Sequence, residues 1–299
     1  MRVLLAILLL VLAAPLTAQD LKLPNKEVSV KFAVLGDTGT GSNDQVGVAK
    51  MLTAYRAKFR FDFALLLGDN LYGSENPRDY VRKFETPYKA LLDAGVKFYA
   101  ALGNHDDPNQ RLYKGFNMNG ERYYTFKPSL TGRVRFFALD SNYMNPEQLQ
   151  WLEKELAGSG SDWKIPYFHH PLYASGRHGS DEVLRQQLEP LFLKHGVDVV
   201  LTGHEHFYER IKPQKGIQYF VAGSSAKLRR NDINRRTGLT AFGYDQGFTF
   251  MLMEIDGDAL YYQTITKEGE TVDAGVVKKG ATTDRATGTV HQRRGPAGR

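Results

Sequence analysis

Short apolar runs alternate with helix-like segments along the first two thirds of the chain. Six runs have the length of buried strands, and four segments between them show helical periodicity. Asn145-Pro146 places a capping residue and a first-turn proline before the third helical segment. Strands that alternate with helices predict a sheet covered by helices. The predicted strands are 29–35, 62–67, 96–102, 134–139, 165–169 and 197–201, and the predicted helices are 45–59, 78–93, 147–157 and 181–195.

From Gly216 onward the pattern changes to strand after strand. The predicted strands are 217–221, 247–255, 259–266 and 271–277, and Asp256-Gly257 is a typical hairpin turn. We therefore predict a second, largely antiparallel sheet. No repeat or long linker interrupts the chain before its last residues, which favours one domain of two packed sheets.

The N-terminus has the pattern of a secretory signal. Arg2 precedes an apolar run from Val3 to Leu12, and small residues lead to Ala18. The alternative is a membrane anchor, but a span needs roughly 20 apolar residues and this run is about half as long. We predict a signal peptide at residues 1–18, a periplasmic or extracellular location and no stable membrane insertion. The chain has no cysteine, so its stability must come from its core without disulfides.

The formal charge of +6 is concentrated at the two ends of the chain. Arg2 leaves with the signal peptide, residues 275–299 carry a net charge of +5, and the remaining body is neutral. A neutral body argues against a nucleic-acid partner, because such a partner requires a basic face on the folded domain. We predict a monomeric domain at residues 19–277 and a basic, disordered tail at residues 278–299.

Polar groups suited to metal binding follow five of the predicted strands. Six of the eight histidines fall in these loops or in the loop after them. In α/β sheets the loops beyond the carboxyl ends of strands converge on ligands, which predicts one shared site. The segments are Gly36-Asp37-Thr38-Gly39, Gly68-Asp69-Asn70-Leu71-Tyr72, Gly103-Asn104-His105-Asp106, His169-His170-Pro171 and Gly203-His204-Glu205-His206.

This collection of side chains predicts two metal ions. Oxygen donors suit hard cations, imidazoles suit zinc and iron, and the set exceeds the positions around a single ion. Two metal ions about 3.5–4 Å apart are typical of enzymes that hydrolyse phosphoesters. Phosphate monoester hydrolysis needs enhancements of up to roughly 10²¹, whereas a general acid or base contributes about 10² to 10⁴, so side chains alone fall short.

The order of these motifs resembles the calcineurin-like metallophosphoesterases from about residue 30 to residue 267. Most members carry a histidine two residues after the first aspartate, but here Gly39 stands there. Tyr72 follows Asp69 by three residues, a combination similar to purple acid phosphatases of the small, tartrate-resistant type. The resemblance implies an α/β fold, a four-layer α/β/β/α sandwich of two packed mixed sheets flanked by helices.

The resemblance also implies a role for each residue. The expected enzyme is an exported acid phosphatase that acts on small phosphomonoesters, with metal-bound hydroxide as the nucleophile. Asp69 would bridge the ions, and His105 and His178 would orient the phosphate and protonate the leaving group. His169 is preferred over His170 as a ligand because it stands two residues before the proline. Fe(III) would be held by Asp37, Tyr72 and His206, and a divalent Fe(II), Zn(II) or Mn(II) by Asn104, His169 and His204.

For several charged residues, the sequence leaves two interpretations open. Asp106 and Glu205 either orient ligands or are solvated, and Arg229 and Arg230 either contact phosphate or are solvated. His204 and His206 are expected to face one cleft, because side chains two residues apart on an extended backbone point to the same side. We assign no role to His195, at a helix C-terminus, or to His291, in the tail.

Two other functions remain open. One is a phosphodiesterase or nucleotide hydrolase with two divalent ions and no Fe(III), which Tyr72 and Gly39 disfavour. The other is a non-catalytic binding module whose basic tail attaches it to anionic cell-surface polymers. The intact set of metal donors disfavours the second.

Overall fold

The computed structural model describes residues 20–128 and 133–280. The predicted signal peptide and nearly all of the basic tail lie outside these residues. No helix within the described ranges is both long and apolar enough to cross a bilayer.

The described residues form thirteen strands and five α-helices. A π-helical turn, Val81–Glu85, joins the second and third helices. The strands are β1 (Val30–Leu35), β2 (Phe63–Leu66), β3 (Lys97–Ala100), β4 (Tyr124–Phe126), β5 (Val134–Ala138), β6 (Trp163–Phe168), β7 (Val199–Thr202), β8 (Tyr208–Ile211), β9 (Gln218–Ala222), β10 (Thr240–Tyr244), β11 (Thr249–Asp256), β12 (Ala259–Thr266) and β13 (Thr271–Lys278). The helices are α1 (Asn43–Arg56), α2 (Pro77–Tyr80), α3 (Thr86–Asp93), α4 (Pro146–Ala157) and α5 (Glu182–Lys194).

These strands build two mixed sheets. The first has the order β13-β12-β11-β1-β2-β3, and the second has the order β10-β8-β9-β7-β6-β5-β4. In the first sheet β1, β2 and β3 are parallel. In the second sheet β5, β6, β7 and β9 are parallel. The carboxyl ends of both parallel groups carry the polar loops of the candidate site.

Three layers of apolar side chains hold the sheets and helices together. One lies between the two sheets and includes Phe32, Phe63 and Phe136. A second packs α1 and α3 on the first sheet, and a third packs α4 and α5 on the second. The fold is therefore the predicted α/β/β/α sandwich.

The division of the chain between the sheets differs from the prediction. The strands after Gly216 do not make a sheet of their own: β9 lies parallel to β7, whereas β11 pairs antiparallel with β1. The early strands are likewise split between the two sheets. Hydrophobic runs define which segments are strands, but they carry little information on which strand is the neighbour. The prediction also missed β4, β8 and β10, which are three to five residues long.

We expect Phe32→Ala to destabilise the protein by about 3–5 kcal/mol, because it leaves a cavity between the sheets. The Phe32 ring is fully buried, and its centroid lies 5.4 Å from that of Phe63 and 5.1 Å from that of Phe136. Denaturant unfolding of the variant and the wild type measures the difference. Val28→Ala, at an 89% exposed residue, serves as the control and should change stability little. A loss below about 1 kcal/mol in Phe32→Ala would show that this layer is not tightly packed.

Candidate metal centre

The loops that follow β1, β2, β3, β6 and β7 meet at one end of the sandwich. They bring the seven predicted ligands into two adjoining groups of donor atoms. The first group contains Asp37, Tyr72 and His206, the second contains Asn104, His169 and His204, and Asp69 contacts both.

The first group combines a carboxylate, a phenol and an imidazole. The Tyr72 hydroxyl donates to Asp37 Oδ1 at 2.9 Å and lies 3.4 Å from His206 Nε2. His206 Nε2 is 3.3 Å from the same Asp37 oxygen. One oxygen of Asp69 completes the group, because ligand atoms of Asp37, Asp69 and His206 all lie within 4.8 Å of one another.

The second group combines an amide oxygen with two imidazoles. His169 Nε2 lies 2.9 Å from Asn104 Oδ1 and 3.1 Å from His204 Nδ1. It is also 3.4 Å from Asp69 Oδ1, so Asp69 lies between the two groups. His169 Nδ1 lies 3.0 Å from the Leu67 carbonyl oxygen, which can only accept, so this nitrogen carries the proton. Nε2 of His169 is therefore the nitrogen whose lone pair is available to bind a metal ion.

The electrostatics of the site fit a pair of cations. Burial, followed by the charge of Asp69, raises the pKa of Asp37 well above its ordinary value. Burial lowers the pKa of His204 to about 2 and that of His206 to about 4, so both imidazoles are neutral, as metal ligands must be. Within the described ranges, no lysine or arginine forms an ion pair with Asp37 or Asp69. Two metal ions would supply the missing positive charge.

Three of these residues adopt a left-handed backbone conformation. The φ angles are 56° at Asp37, 51° at Asp69 and 69° at His204. Such angles are uncommon outside glycine and are concentrated at functional sites, where the surrounding structure must stabilise them. Here they let the chain turn sharply at a strand end and direct the side chain into the centre.

Comparison with known proteins agrees with this geometry. The model of the calcineurin-like phosphoesterase family matches residues 30–208, which is more than half of the chain. This chain belongs to the calcineurin-like phosphoesterase family. The prediction of a phosphoester hydrolase of this family is confirmed.

Individual relatives are purple acid phosphatases. Purple acid phosphatase 17 of Arabidopsis thaliana is 28% identical, over 84% of this chain and 85% of that protein. Human tartrate-resistant acid phosphatase type 5 is 27% identical, over 66% of this chain and 73% of that protein. A purple acid phosphatase from yellow lupin seeds shares the fold, with a TM-score of 0.67 and 19% identity, over 86% of this chain and 55% of that chain.

The backbone around Gly39 leaves no room for a side chain at this position. A Cβ atom at Gly39 would lie 1.9 Å from the Asn70 carbonyl oxygen and 2.4 Å from Leu71 Cα. Tyr72 N donates to the Gly39 carbonyl at 2.8 Å, so the two loops lie directly against each other. The position of Tyr72 in the first group therefore depends on a residue without a side chain at position 39.

Buried Lys83, in the π-helical turn, fixes the position of the loop that carries Tyr72. Its amine donates to the carbonyls of Tyr72, at 2.6 Å, and Ser74, at 2.5 Å. The side chain of Gln45 in α1 donates to the Lys83 carbonyl at 2.6 Å. π-Helical turns are frequent at functional sites, and this one directs a lysine toward the loop that carries Tyr72.

The reason that we gave for the placement of His204 and His206 is wrong. They do reach different groups, but the backbone between them is not extended, since His204 is left-handed and the segment lies beyond the end of β7. Glu205 N donates to the Gly203 carbonyl at 2.8 Å, and Phe207 N donates to the Glu205 carbonyl at 2.7 Å. Two successive tight turns, and not the alternation of a strand, separate the two imidazoles.

Asp106, which is half-buried, and Glu205, which is fully buried, are both tied to the loops of the site by hydrogen bonds. The Asp106 carboxylate accepts from Gly103 N at 2.8 Å and Leu71 N at 3.0 Å, which links the loops after β2 and β3. The fully buried Glu205 carboxylate accepts from the backbone N–H groups of His178, at 2.8 Å, and the following glycine, at 2.9 Å. Both acids therefore fix the positions of neighbouring site residues.

Three further histidines surround the ligands. His105 N donates to Asp69 Oδ1 at 3.0 Å, and its ring lies 4.9 Å from that of Tyr72. The rings of His170 and His178 each lie 4.5 Å from the ring of His204. A nitrogen of His170 also lies within 4.8 Å of ligand nitrogens of His169 and His204, so His170 is a further candidate donor.

Two cations form one wall of the site. Arg229 Nη2 lies 3.2 Å from His178 Nε2, and Arg229 Nη1 is 3.4 Å from a Glu205 oxygen. Lys227 Nζ lies 4.3 Å above the centre of the Tyr72 ring. Sequence reasoning left Arg229 open and missed Lys227. Both follow β9, which lies parallel to β7, so the carboxyl ends of these two strands meet at the same site; no local sequence pattern indicates this pairing.

The other residues named from the sequence lie elsewhere. Arg230 is exposed, and its guanidinium donates to the Gln246 carbonyl. His195 follows α5, with its ring 3.8 Å from a Glu153 oxygen, which agrees with its placement at a helix end. His291 lies outside the described residues.

We expect Gly39→Ala to destabilise the protein by roughly 1–3 kcal/mol, because the new methyl group overlaps the backbone at residues 70 and 71. The same overlap should displace Tyr72 and lower the content of bound metal. Denaturant unfolding and elemental analysis measure the two effects. Gly158→Ala is the matched control, since its Cβ would be no closer than 3.4 Å to another atom. Equal stability and metal content in both variants would contradict the contact between the two loops.

Proposed function

We propose that this protein is an acid phosphatase that hydrolyses small phosphomonoesters at a centre of two metal ions. One ion is Fe(III), and the other is divalent Fe(II), Zn(II) or Mn(II). The observation that carries the proposal is the pair of adjoining donor groups joined by Asp69, with the Tyr72 phenol in only one of them.

The chemistry of the donors assigns an ion to each group. Asp37, Tyr72 and His206 would hold Fe(III), because a phenolate is a hard, anionic donor suited to a trivalent ion. Asn104, His169 and His204 would hold the divalent ion, and Asp69 would bridge the two. Bound ions supply Lewis acidity, which neutralises charge on a phosphate and lowers the pKa of water.

The cationic wall would bind the phosphate from one side. Among the described residues, Lys227 forms no ion pair, so its charge is available to an anionic substrate. Arg229 is held in place by two carboxylates, Glu205 at 3.4 Å and Asp232 at 3.3 Å. A phosphate that lies between the donor groups and this wall would have its charge offset on several sides.

The same contacts separate the roles of the two histidines predicted as proton donors. An arginine can only donate, so His178 Nε2 accepts from Arg229 and carries no proton there. Burial, followed by the charge of Arg229, lowers the pKa of His178. The ring of exposed His105 makes no hydrogen bond within the described part of the chain. We infer that His105 protonates the leaving oxygen and that His178 orients the phosphate.

The proposal includes export and a monomeric state. The apolar run from Val3 to Leu12 behind Arg2 supports secretion to the periplasm or the exterior. A single chain contributes every donor of both groups, so the centre needs no second copy.

We expect Asp69→Ala and His169→Ala to lower phosphomonoester hydrolysis by at least a thousandfold and to reduce bound metal below two ions per chain. Asp69 contacts both donor groups, and His169 belongs to the second. Elemental analysis and steady-state kinetics measure these effects. His195→Gln is the matched control and should retain both ions and full activity, because His195 lies outside the centre. Full metal content and activity in both alanine variants would contradict the proposed centre.

We expect the metal-loaded protein to absorb visible light, and we expect this band to disappear in Tyr72→Phe. A tyrosinate bound to Fe(III) produces such a band, whereas zinc or manganese sites without iron are colourless. Tyr123→Phe is the control, because Tyr123 packs against Trp151, away from the donor groups. A colourless, active wild-type protein would instead favour the hydrolase with two divalent ions.

A further inference from the structure

A cavity of about 460 Å³ opens beside the second donor group, and nothing above gives it a role. The predicted ligand Asn104 and the neighbouring His170 contribute to its wall, so the cavity adjoins the centre. Its volume is sufficient for the organic part of a small phosphomonoester. The lining residues that matter here are Asn104, Arg122, Ser141, Asn142, Tyr143 and His170.

One side of this cavity carries a tyrosine ring that is unusually exposed. Tyr143 is 61% exposed, although most large apolar side chains of the described residues are buried. The Arg122 guanidinium lies 4.4 Å from the centre of its ring. An exposed ring supported in this way presents a flat apolar surface to a ligand.

Hydrogen bonds hold this surface in place. Arg122 Nε donates to Asp140 Oδ2 at 2.6 Å, and Asp140 itself is buried. Asn142 N and its side-chain amide both donate to Asp140 Oδ1 at 3.0 Å. The same amide donates to the carbonyls of Leu102, at 3.3 Å, and Gly103, at 3.2 Å, directly before Asn104. The turn that carries Tyr143 is thus fixed to a loop of the metal centre.

The charges around the cavity disfavour an anionic occupant. Asp106 and Asp181 line it, and the one cation among its lining residues, Arg122, is already paired with Asp140. Lys227 and Arg229 lie elsewhere on the centre, beside Tyr72 and His178. A phosphate ester therefore meets positive charge on the side of Lys227, and a polar cavity with an aromatic wall on the side of Asn104.

We propose that this cavity binds the leaving group of the substrate and selects an uncharged aromatic ring, which packs on Tyr143. The preferred substrates are then aryl phosphomonoesters, and a second phosphate on the leaving group is disfavoured. This inference rests on the proposed phosphatase function. Tyr143 acts here as a binding residue that determines specificity, and it takes no part in bond breaking.

The test compares phenyl phosphate with glycerol 2-phosphate in the metal-loaded wild type, Tyr143→Ala and Tyr143→Phe. We expect Tyr143→Ala to lower kcat/KM for phenyl phosphate by about tenfold, mainly through KM, because a contact between aromatic rings is lost. Its kcat/KM for glycerol 2-phosphate should stay within about twofold of the wild type, and Tyr143→Phe should match the wild type on both substrates. For each substrate, the kcat/KM of the variant is divided by that of the wild type. This ratio cancels the difference in intrinsic reactivity between the two leaving groups.

Leu112→Ala is the control, because this side chain is 62% exposed and does not line the cavity. It should leave kcat/KM unchanged for both substrates. Equal loss on both substrates in Tyr143→Ala, or no loss on either, would overturn the aromatic subsite while leaving the phosphatase proposal intact. A wild type that hydrolyses neither substrate would instead contradict the phosphatase proposal itself.

Discussion

Two buried carboxylates placed close together are the constraint on which the rest of this structure depends. Asp37 and Asp69 are almost completely inaccessible, and the charge of Asp69 disfavours ionisation of Asp37. Charges of the same sign repel strongly when water is excluded, so the arrangement costs folding free energy. The fold offsets this cost elsewhere, through three apolar layers and the hydrogen bonds that hold each loop. Such an arrangement is explained if cations bind between the carboxylates.

The loops satisfy this constraint because each is fixed by its neighbours and not by its own sequence alone. Left-handed angles at Asp37, Asp69 and His204 are unfavourable in isolation and persist because surrounding contacts require them. The absence of a side chain at Gly39 lets the next loop approach and brings Tyr72 into the first group. A side chain at position 39 and the observed placement of Tyr72 thus exclude each other sterically.

Much of the centre could be located from the sequence because a strand end is a local feature. Asp37, Asp69, Asn104, His169 and His204 all come directly after apolar runs, and the ends of parallel strands meet whatever the exact neighbours are. Strand pairing could not be predicted in the same way, since the run at 217–221 fits either a parallel or an antiparallel neighbour. The position of Lys227, in the loop that follows this strand, could therefore not be inferred. The tight turns around Glu205 were also missed, because they depend on tertiary contacts and not on local pattern.

Charge is distributed unequally around the centre, and this asymmetry underlies the proposed substrate choice. Lys227 and Arg229 lie beside Tyr72 and His178, whereas Asp106 and Asp181 line the cavity next to Asn104. Arg229 cannot both donate to His178 Nε2 and leave that nitrogen protonated, so under the proposed function the arginine that would face the phosphate also keeps His178 Nε2 from donating a proton. His105, next in sequence to Asn104, is then the histidine that we propose as the proton donor to the leaving oxygen. On this proposal, one arginine would determine which histidine orients the phosphate and which protonates the leaving group.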